Sequence, residues 1–186
     1  MGPGQRLDAL VVVPDDPAGA SRAAGLADRL AGVAAVTTVR ADGLAQGLGR
    51  ADVVLTPPLA ADLARLVAGS GVRTVLDLRG TSPLGTAAAR DAAIAWLDVA
   101  DHTIVVGDRE RDVWLGVMMS RRLITVERYD DDPSLRAVID ALPDPSQTAE
   151  PFVRLLTAAR PPRPRWQRSR VARRLRTAGL TRRIPR

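Results

Sequence analysis

Short apolar runs alternate with alanine-rich segments along most of the chain. The apolar runs are rich in β-branched residues and predict six strands, at Leu7–Pro14, Ala35–Val39, Asp52–Thr56, Val72–Leu78, His102–Val106 and Leu123–Glu127. The segments between them predict helices at Ala18–Ala31, Asp42–Gly49, Pro58–Ala68, Thr86–Val99 and Asp108–Arg121. In the first helix, Ala24, Leu26 and Leu30 form the stripe expected to face a sheet. The third helix opens with Pro58, which a first helical turn accommodates.

This alternation predicts an α/β fold with a single Rossmann-like, doubly wound parallel sheet. Successive parallel strands need crossover helices, and strands covered on both faces consist of continuous apolar runs. We expect the sheet domain to occupy residues 1–143, followed by a C-terminal helix within residues 144–160 and a Pro/Arg-rich basic tail at 161–186. A hydrophobic content of 46% is enough for a buried core in a chain of 186 residues.

The composition excludes several classes of chemistry. The chain has no cysteine, which rules out disulfides and thiolate catalysis, and a single histidine, His102, cannot build a histidine metal cluster. We therefore expect no metal and no bound cofactor. No apolar run is long enough for a transmembrane helix and no secretory signal is visible, so we expect a cytoplasmic protein. Arginine as the sole basic residue, with abundant alanine, is typical of a GC-rich bacterial genome.

The positive charge is concentrated in the tail. Residues 160–186 carry +11 and residues 1–159 carry −5, which together give the net charge of +6. The tail residues that could contact a membrane or a partner are Trp166, Arg168, Arg170, Arg173, Arg174 and Arg176. Three interpretations of the tail are open. The first is a disordered basic extension, and the second is peripheral binding to anionic lipid at the inner face of the membrane. Nucleic-acid binding is the least favoured, because the tail has one aromatic residue and no RNA-binding motif occurs.

Polar residues follow several predicted strands, at the edge where doubly wound sheets bind ligands. They are Pro14, Asp15 and Asp16 after the first strand, Thr56, Pro57 and Pro58 after the third, Arg79, Gly80, Thr81 and Ser82 after the fourth, and Gly107, Asp108 and Arg109 after the fifth. No G-x-G-x-x-G motif follows the first strand, and a chain without lysine has no P-loop. The edge thus predicts substrate-binding candidates without naming a catalytic residue.

Each candidate also has a structural explanation. Asp15 and Asp16 are ordinary turn residues. Arg79 beside Gly80 suits phosphate or carboxylate binding, yet it could equally pair with a neighbouring acid. Asp108 is expected to cap its helix. His102 begins its strand, at the edge opposite the ligand side, so we do not expect a catalytic role for it, and Trp96 and Trp114 are expected to cover the core.

The segments TVLDLRGTSPL, LDVADHTIVVGDRERDVWLGVMM and DDDPSLRAVIDALP resemble the N-terminal, acceptor-side domain of bacterial GT-B glycosyltransferases of retaining family 4. The matching positions are Asp77-Leu78, Ala100-Asp101, Gly107-Asp108-Arg109, Arg111-Asp112, Trp114-Leu115-Gly116, Asp132-Pro133, Leu135-Arg136, Ile139-Asp140 and Pro143. The resemblance covers residues 73–143, and the family's C-terminal nucleotide-sugar domain has no counterpart after Pro143.

This resemblance implies a truncated or split glycosyltransferase. Its acceptor-side half would act with a donor-domain partner in polysaccharide or glycolipid assembly, and the isolated chain would be inactive. The alternative is a non-catalytic α/β adaptor or remnant with a basic tail that binds a membrane or a partner.

Overall fold

The computed structural model describes residues 6–142, which form one parallel sheet with helices on both faces. In chain order the elements are β1 (Leu7–Val13), α1 (Pro17–Leu30), β2 (Ala34–Arg40), a 3-10 turn (Ala41–Gly43), α2 (Leu44–Leu48), β3 (Val53–Thr56), α3 (Ala61–Ser70), β4 (Arg73–Asp77), α4 (Ala87–Leu97), β5 (His102–Val106), α5 (Gly107–Ser120), α6 (Val126–Asp131) and β6 (Ile139–Leu142). The predictions for residues 144–160 and for the tail at 161–186 lie outside the described residues.

The sheet confirms the predicted fold class. Its strand order is β2-β1-β3-β4-β5-β6, and every neighbouring pair is parallel. This is the flavodoxin-like order of doubly wound sheets with one further strand beside β5. The chain leaves β1 towards β2 and returns on the other side of β1 to form β3. The sheet therefore has its topological switch point between β1 and β3, where such folds open a crevice at the carboxyl ends of the strands.

Two apolar clusters hold the helices against the sheet. One face joins β1, β3, β4 and β5 to α1, whose buried residues include Leu26 and Leu30. The other face carries buried residues of α2, α3, α4 and α5, among them Trp96 and Trp114, each 0% exposed. Trp96 also donates its indole N–H to the carbonyl oxygen of Leu59 at 2.9 Å. Both tryptophans thus cover the core as predicted.

Two predicted helices differ in detail from the observed ones. In α1, Ala24 is exposed, and Ala23 and Ala27 join Leu26 and Leu30 in contact with the sheet. The predicted stripe was wrong at Ala24 because small alanine residues give no polarity contrast by which to fix the helix phase. The third helix begins at Ala61, three residues later than predicted, so Pro58 belongs to the loop before it.

The sixth strand was assigned to the wrong segment. Residues 123–127 contain no strand; Leu123 is buried behind α5, and α6 starts at Val126. The hydroxyl of Thr125 accepts a hydrogen bond from the N–H of Arg128 at 3.3 Å and so caps that helix. The observed β6 begins at Ile139, which is 0% exposed. Local capping therefore outweighed the β-branched composition of the LITVE run.

Candidate functional site

A crevice opens at the switch point, between α1 and the carboxyl ends of β1, β3 and β4. It is lined by Pro14, Gly19, Arg22, Thr56, Pro57, Asp77 and Arg79, above an apolar floor from β1, β3 and α1. The parallel register brings these strand ends to one edge although they are far apart in sequence. The sequence predicts candidates on this edge, and the crevice brings together Pro14, Thr56, Pro57 and Arg79, which follow the first, third and fourth strands.

The first turn of α1 is closed by its own residues. The carboxylate of Asp16 accepts a hydrogen bond from the N–H of Gly19 at 2.6 Å, and Pro17 at the start of the helix has no N–H. A Cβ atom on Gly19 would lie 2.5 Å from both the Asp16 carboxylate and the Pro14 ring, so the turn requires glycine there. A capped helix end carrying a carboxylate repels anions. Asp16 therefore acts as a helix cap, and this end of α1 is no phosphate cradle.

Arg79 is held in a buried ion pair. Its Nε and Nη2 atoms donate to the two carboxylate oxygens of Asp77 at 2.8 Å and 2.6 Å. The Arg79 side chain is 1% exposed and that of Asp77 is 16% exposed. The Asp77 carboxylate also accepts the backbone N–H of Arg79 at 3.0 Å. Of the two interpretations of Arg79, pairing with a neighbouring acid describes the observed geometry, and the pair fixes the chain where β4 ends.

Arg22 supplies the accessible positive charge of the crevice. It projects from the second turn of α1, and its guanidinium lies 3.3 to 3.6 Å from the position that a Cβ atom of Gly80 would occupy. Gly80 has a φ of 82°, a conformation that favours glycine. Within residues 6–142, the Arg22 side chain makes no hydrogen bond or ion pair. The guanidinium is therefore available to an anionic ligand that approaches along the β4 loop.

The loop after Gly80 is built from tight turns. The N–H of Thr81 donates to the carbonyl of Leu78 at 2.8 Å, and the hydroxyl of Ser82 accepts the N–H of Leu84 at 3.2 Å. Thr86 ends the loop by capping α4, where its hydroxyl accepts the N–H of Ala89 at 3.2 Å. Ser82 and Leu84 are exposed beside the crevice, the latter 90% exposed. These groups form a polar rim with one apolar side chain.

The remaining predicted residues lie outside the crevice lining. Asp15 is exposed and forms a loose ion pair with Arg40, with 3.9 Å between the charged atoms. Gly107, Asp108 and Arg109 are exposed at the end of β5, further along the same sheet edge.

The predicted cap of the helix after β5 was wrong. The structure starts α5 at Gly107, which places Asp108 inside the first turn. The backbone N–H of Val106 instead donates to the Glu110 carboxylate at 3.1 Å. The Glu110 side chain, four residues further along, reaches back to this N–H and ties the residue before α5 to the start of the helix.

His102 lies at the opposite edge of the sheet, as predicted. It is 3% exposed, and its Nδ1 atom lies 3.1 Å from the carbonyl oxygen of Ala137. This contact assigns the ring proton to Nδ1, and Nε2 is buried without a hydrogen-bond partner. Burial lowers the pKa of His102, while the hydrogen bond to Ala137 raises it to a lesser extent. The buried neutral imidazole lies at the end of β5 opposite the crevice, where it packs against the segment that contains Ala137.

Arg22 is a site residue that the sequence pattern does not indicate. It lies in the middle of a predicted helix, where an arginine is ordinarily part of the solvated face. Only the crossing of α1 over β1 and β3 brings it beside the loop after β4. The nearest sequence signal is Gly80, because a glycine next to the end of a strand allows close approach of another group.

Comparison with known proteins identifies no relative. No protein-family model matches the chain, and no curated protein matches it. The resemblance to GT-B glycosyltransferases therefore stays a prediction from the sequence. Among residues 6–142, no group of three or more histidine and acidic side chains is placed to hold a metal ion, and no helix is long and apolar enough to cross a bilayer.

Proposed function

We propose that this chain is the acceptor-side half of a split glycosyltransferase, acting with a donor-domain subunit in polysaccharide or glycolipid assembly. The observation that carries the proposal is the crevice at the switch point, with the unpaired guanidinium of Arg22 at its mouth. A crevice in this position is where doubly wound sheets bind small ligands. The sequence resemblance over residues 73–143 supplies the reaction class, and the crevice supplies a binding site.

The ligand that suits this crevice is an acceptor bearing a phosphate or carboxylate group. Arginine donates to such groups through two parallel N–H bonds, and the Arg22 side chain makes no hydrogen bond or ion pair within residues 6–142. The absence of a side chain at Gly80 lets the Arg22 guanidinium lie against the backbone of the β4 loop. The crevice has a volume of about 30 Å³, so it would take only the anionic group, and the sugar ring would lie outside it against the polar rim.

The same crevice supplies binding and positioning without a free general base. The carboxylate of Asp77 is used by Arg79, and that of Asp16 caps α1. His102 is buried at the other edge. We therefore expect the acid, base and nucleotide contacts of the transfer reaction to come from the donor-domain subunit.

The tail belongs to the same proposal. The residues from Trp166 to Arg176, which lie outside the described residues, would hold the protein at an anionic membrane surface through lipid attraction to arginine and insertion of the tryptophan. Such an attachment would place the crevice at the inner face of the membrane, near a lipid-linked acceptor.

A binding comparison tests the proposed site. Glucose 1-phosphate and inorganic phosphate are titrated into the full chain by calorimetry, together with the Arg22→Ala variant. Because a charge-assisted hydrogen bond contributes about 1.5 to 3 kcal/mol, Arg22→Ala is expected to weaken sugar-phosphate binding roughly tenfold to hundredfold. Arg29→Ala is the matched control, since it removes the same charge two turns further along α1. Equal affinities for both variants would remove the crevice from the proposal.

A reconstitution experiment tests the reaction class. A donor-domain protein encoded beside this one is purified and mixed with the full chain, a nucleotide-sugar and a membrane extract. We expect sugar transfer with the pair and none with either protein alone. Transfer by the isolated chain that disappears on Arg79→Ala would contradict the division of roles. The absence of any donor-domain neighbour and of sugar binding would favour the adaptor alternative.

A further inference from the structure

β2 is the outermost strand at one side of the sheet, and within residues 6–142 it pairs with β1 alone. It is seven residues long, and its register with β1 is unbroken from Ala34 to Arg40. Natural proteins usually protect an outer strand with a proline, a bulge, a short length or inward-pointing charges. The strand AAVTTVR has none of these devices, since its one charged residue, Arg40, is exposed at the end. β2 thus presents a regular, unprotected strand to a partner.

The backbone orientation of β1 determines which residues of β2 bond inwards. The carbonyl oxygen of Asp8 accepts the N–H of Asp52, the residue before β3, at 2.9 Å. Because successive residues of a strand turn their backbone groups to opposite sides, those of Ala9 point towards β2. Ala9 lies opposite Val36 and therefore bonds to the residues directly before and after Val36.

The even-numbered residues of β2 consequently point their backbone groups away from the sheet. These residues are Ala34, Val36, Thr38 and Arg40. The outward N–H and C=O groups of Val36 and Thr38 make no hydrogen bond with any residue from 6 to 142. Thr37 and Thr38 are both exposed, one on each face of the sheet, so neither α1 nor α2 covers the middle of the strand.

We infer that β2 is a dimerisation surface, on which a second copy of this chain pairs antiparallel with β2 about a two-fold axis at Thr37. Thr37 is the middle residue of the strand, so this register pairs the whole of it. Val36 then lies opposite Thr38 of the second copy, and Ala34 lies opposite Arg40. Each of these outward pairs exchanges two hydrogen bonds, and the symmetry repeats both pairs, which gives about eight backbone bonds.

The side chains of β2 are self-complementary in this register. Ala35 lies opposite Val39 on one face and Ala34 opposite Arg40 on the other, so each small residue faces a large one. Thr37 lies opposite its own copy, where the two hydroxyls can form a hydrogen bond. The two Arg40 side chains lie at opposite ends of the paired strands, so no like charges meet. These features favour a second copy over an unrelated strand.

Two-fold pairing also explains how an unprotected strand avoids open-ended association. Both copies use the same strand, so the dimer leaves no β2 free and the assembly closes. The crevice lies at the carboxyl ends of β1, β3 and β4 and stays outside the paired strand. The inference therefore goes beyond the proposed function and does not depend on it.

Sedimentation of the full chain and of two Thr38 variants tests the pairing. The wild-type chain is expected to have twice the monomer mass of 19.8 kDa. Thr38→Pro removes an outward N–H and leaves the bonds to β1 intact, so the mass should fall twofold while the circular dichroism spectrum stays unchanged. Thr38→Val keeps the N–H and should remain a dimer. A monomeric wild-type chain, or a Thr38→Pro variant that stays dimeric, would overturn the inference.

Single cysteines test the register with the strand intact, since the chain has no cysteine of its own. In the inferred dimer the two copies of residue 37 form a directly opposed pair about 4.5 Å apart at Cα, a distance that a disulfide spans. The two copies of residue 38 are diagonal neighbours at about 7 to 8 Å, too far for a disulfide. Under mild oxidation Thr37→Cys is expected to form a cross-linked dimer and Thr38→Cys is not. Preferential cross-linking of Thr38→Cys, or none at Thr37→Cys, would contradict the pairing. Protection of the Val36 and Thr38 amides from hydrogen exchange in a monomer would show that another segment covers β2 and would equally overturn it.

Discussion

Replacing Asp77 with alanine removes the carboxylate that holds Arg79. The Arg79 side chain is 1% exposed, so its guanidinium would stay buried after the carboxylate is removed. The Asp77 carboxylate accepts two hydrogen bonds from the Arg79 side chain and one from the Arg79 backbone N–H, and all three would be lost. Breaking a buried ion pair by removing one partner costs about 3 to 5 kcal/mol. The Asp77 side chain is 16% exposed, and water that reaches the carboxylate places the expected loss near the lower end, at about 3 kcal/mol.

The double variant Asp77→Asn with Arg79→Met isolates the cause of that loss. Replacing a buried ion pair by uncharged side chains of similar volume is often neutral, so the double variant should recover most of the stability lost by Asp77→Ala. The exposed pair between Asp15 and Arg40 is the natural control. Its two side chains are 86% and 77% exposed, and Asp15→Ala should cost less than about 1 kcal/mol.

Equilibrium unfolding in urea measures these differences. At a slope of about 2 kcal/mol per molar urea, a loss of 3 kcal/mol moves the midpoint by roughly 1.5 M. Equal midpoints for Asp77→Ala and Asp15→Ala would refute the structural role of the pair.

Three further predictions concern the core and the tail. Burial holds the pKa of His102 below its ordinary value of 6.5, so the unfolded chain binds a proton more readily than the folded protein. The free energy of unfolding should therefore be constant above pH 6.5 and fall as the pH drops below it. The resonance of the single imidazole should titrate below pH 6.5 by NMR. A Cβ atom at Gly47 would lie 2.8 Å from the methyl groups of Leu10, so Gly47→Ala should cost about 1 to 3 kcal/mol in urea unfolding, whereas Gly49→Ala, which meets open space, should not destabilise the fold. Deleting residues 161–186 should leave the thermal midpoint nearly unchanged and abolish salt-dependent co-sedimentation with anionic vesicles, and an unfolded or aggregated product would show that the tail is packed structure.

The strands were predictable because the sheet is buried on both faces. Continuous apolar runs such as that ending at Val13 have no competing helical period, and five of the six strands lie where the sequence placed them. The prediction of the sixth strand was wrong because two short apolar runs, at Leu123 and at Ile139, both had the composition of a strand. Leu123 precedes a threonine that caps a helix, while Ile139 lies beside β5 at the edge of the sheet. Pairing with β5 decides between them, and that contact spans more than 30 residues of sequence.

The candidate site was predictable at the level of the sheet edge and not at the level of individual roles. The rule that ligands bind at the carboxyl ends of parallel strands selects Asp16 and Arg79. In the fold, Asp16 caps α1 and Arg79 forms an ion pair with Asp77. Arg22 could not be selected, because its position beside Gly80 depends on how α1 crosses the sheet. A helix packing angle is set by many side-chain contacts at once, and no local motif encodes it.

The most direct test of the binding site is an amide NMR titration of the full chain with glucose 1-phosphate. If the crevice at the switch point binds the acceptor, the largest shifts should fall on the amides of Arg22, Gly80 and Thr81, and Arg22→Ala should abolish those of Gly80 and Thr81. Shifts centred on the opposite edge around His102, or no shifts at millimolar ligand, would contradict the proposed site.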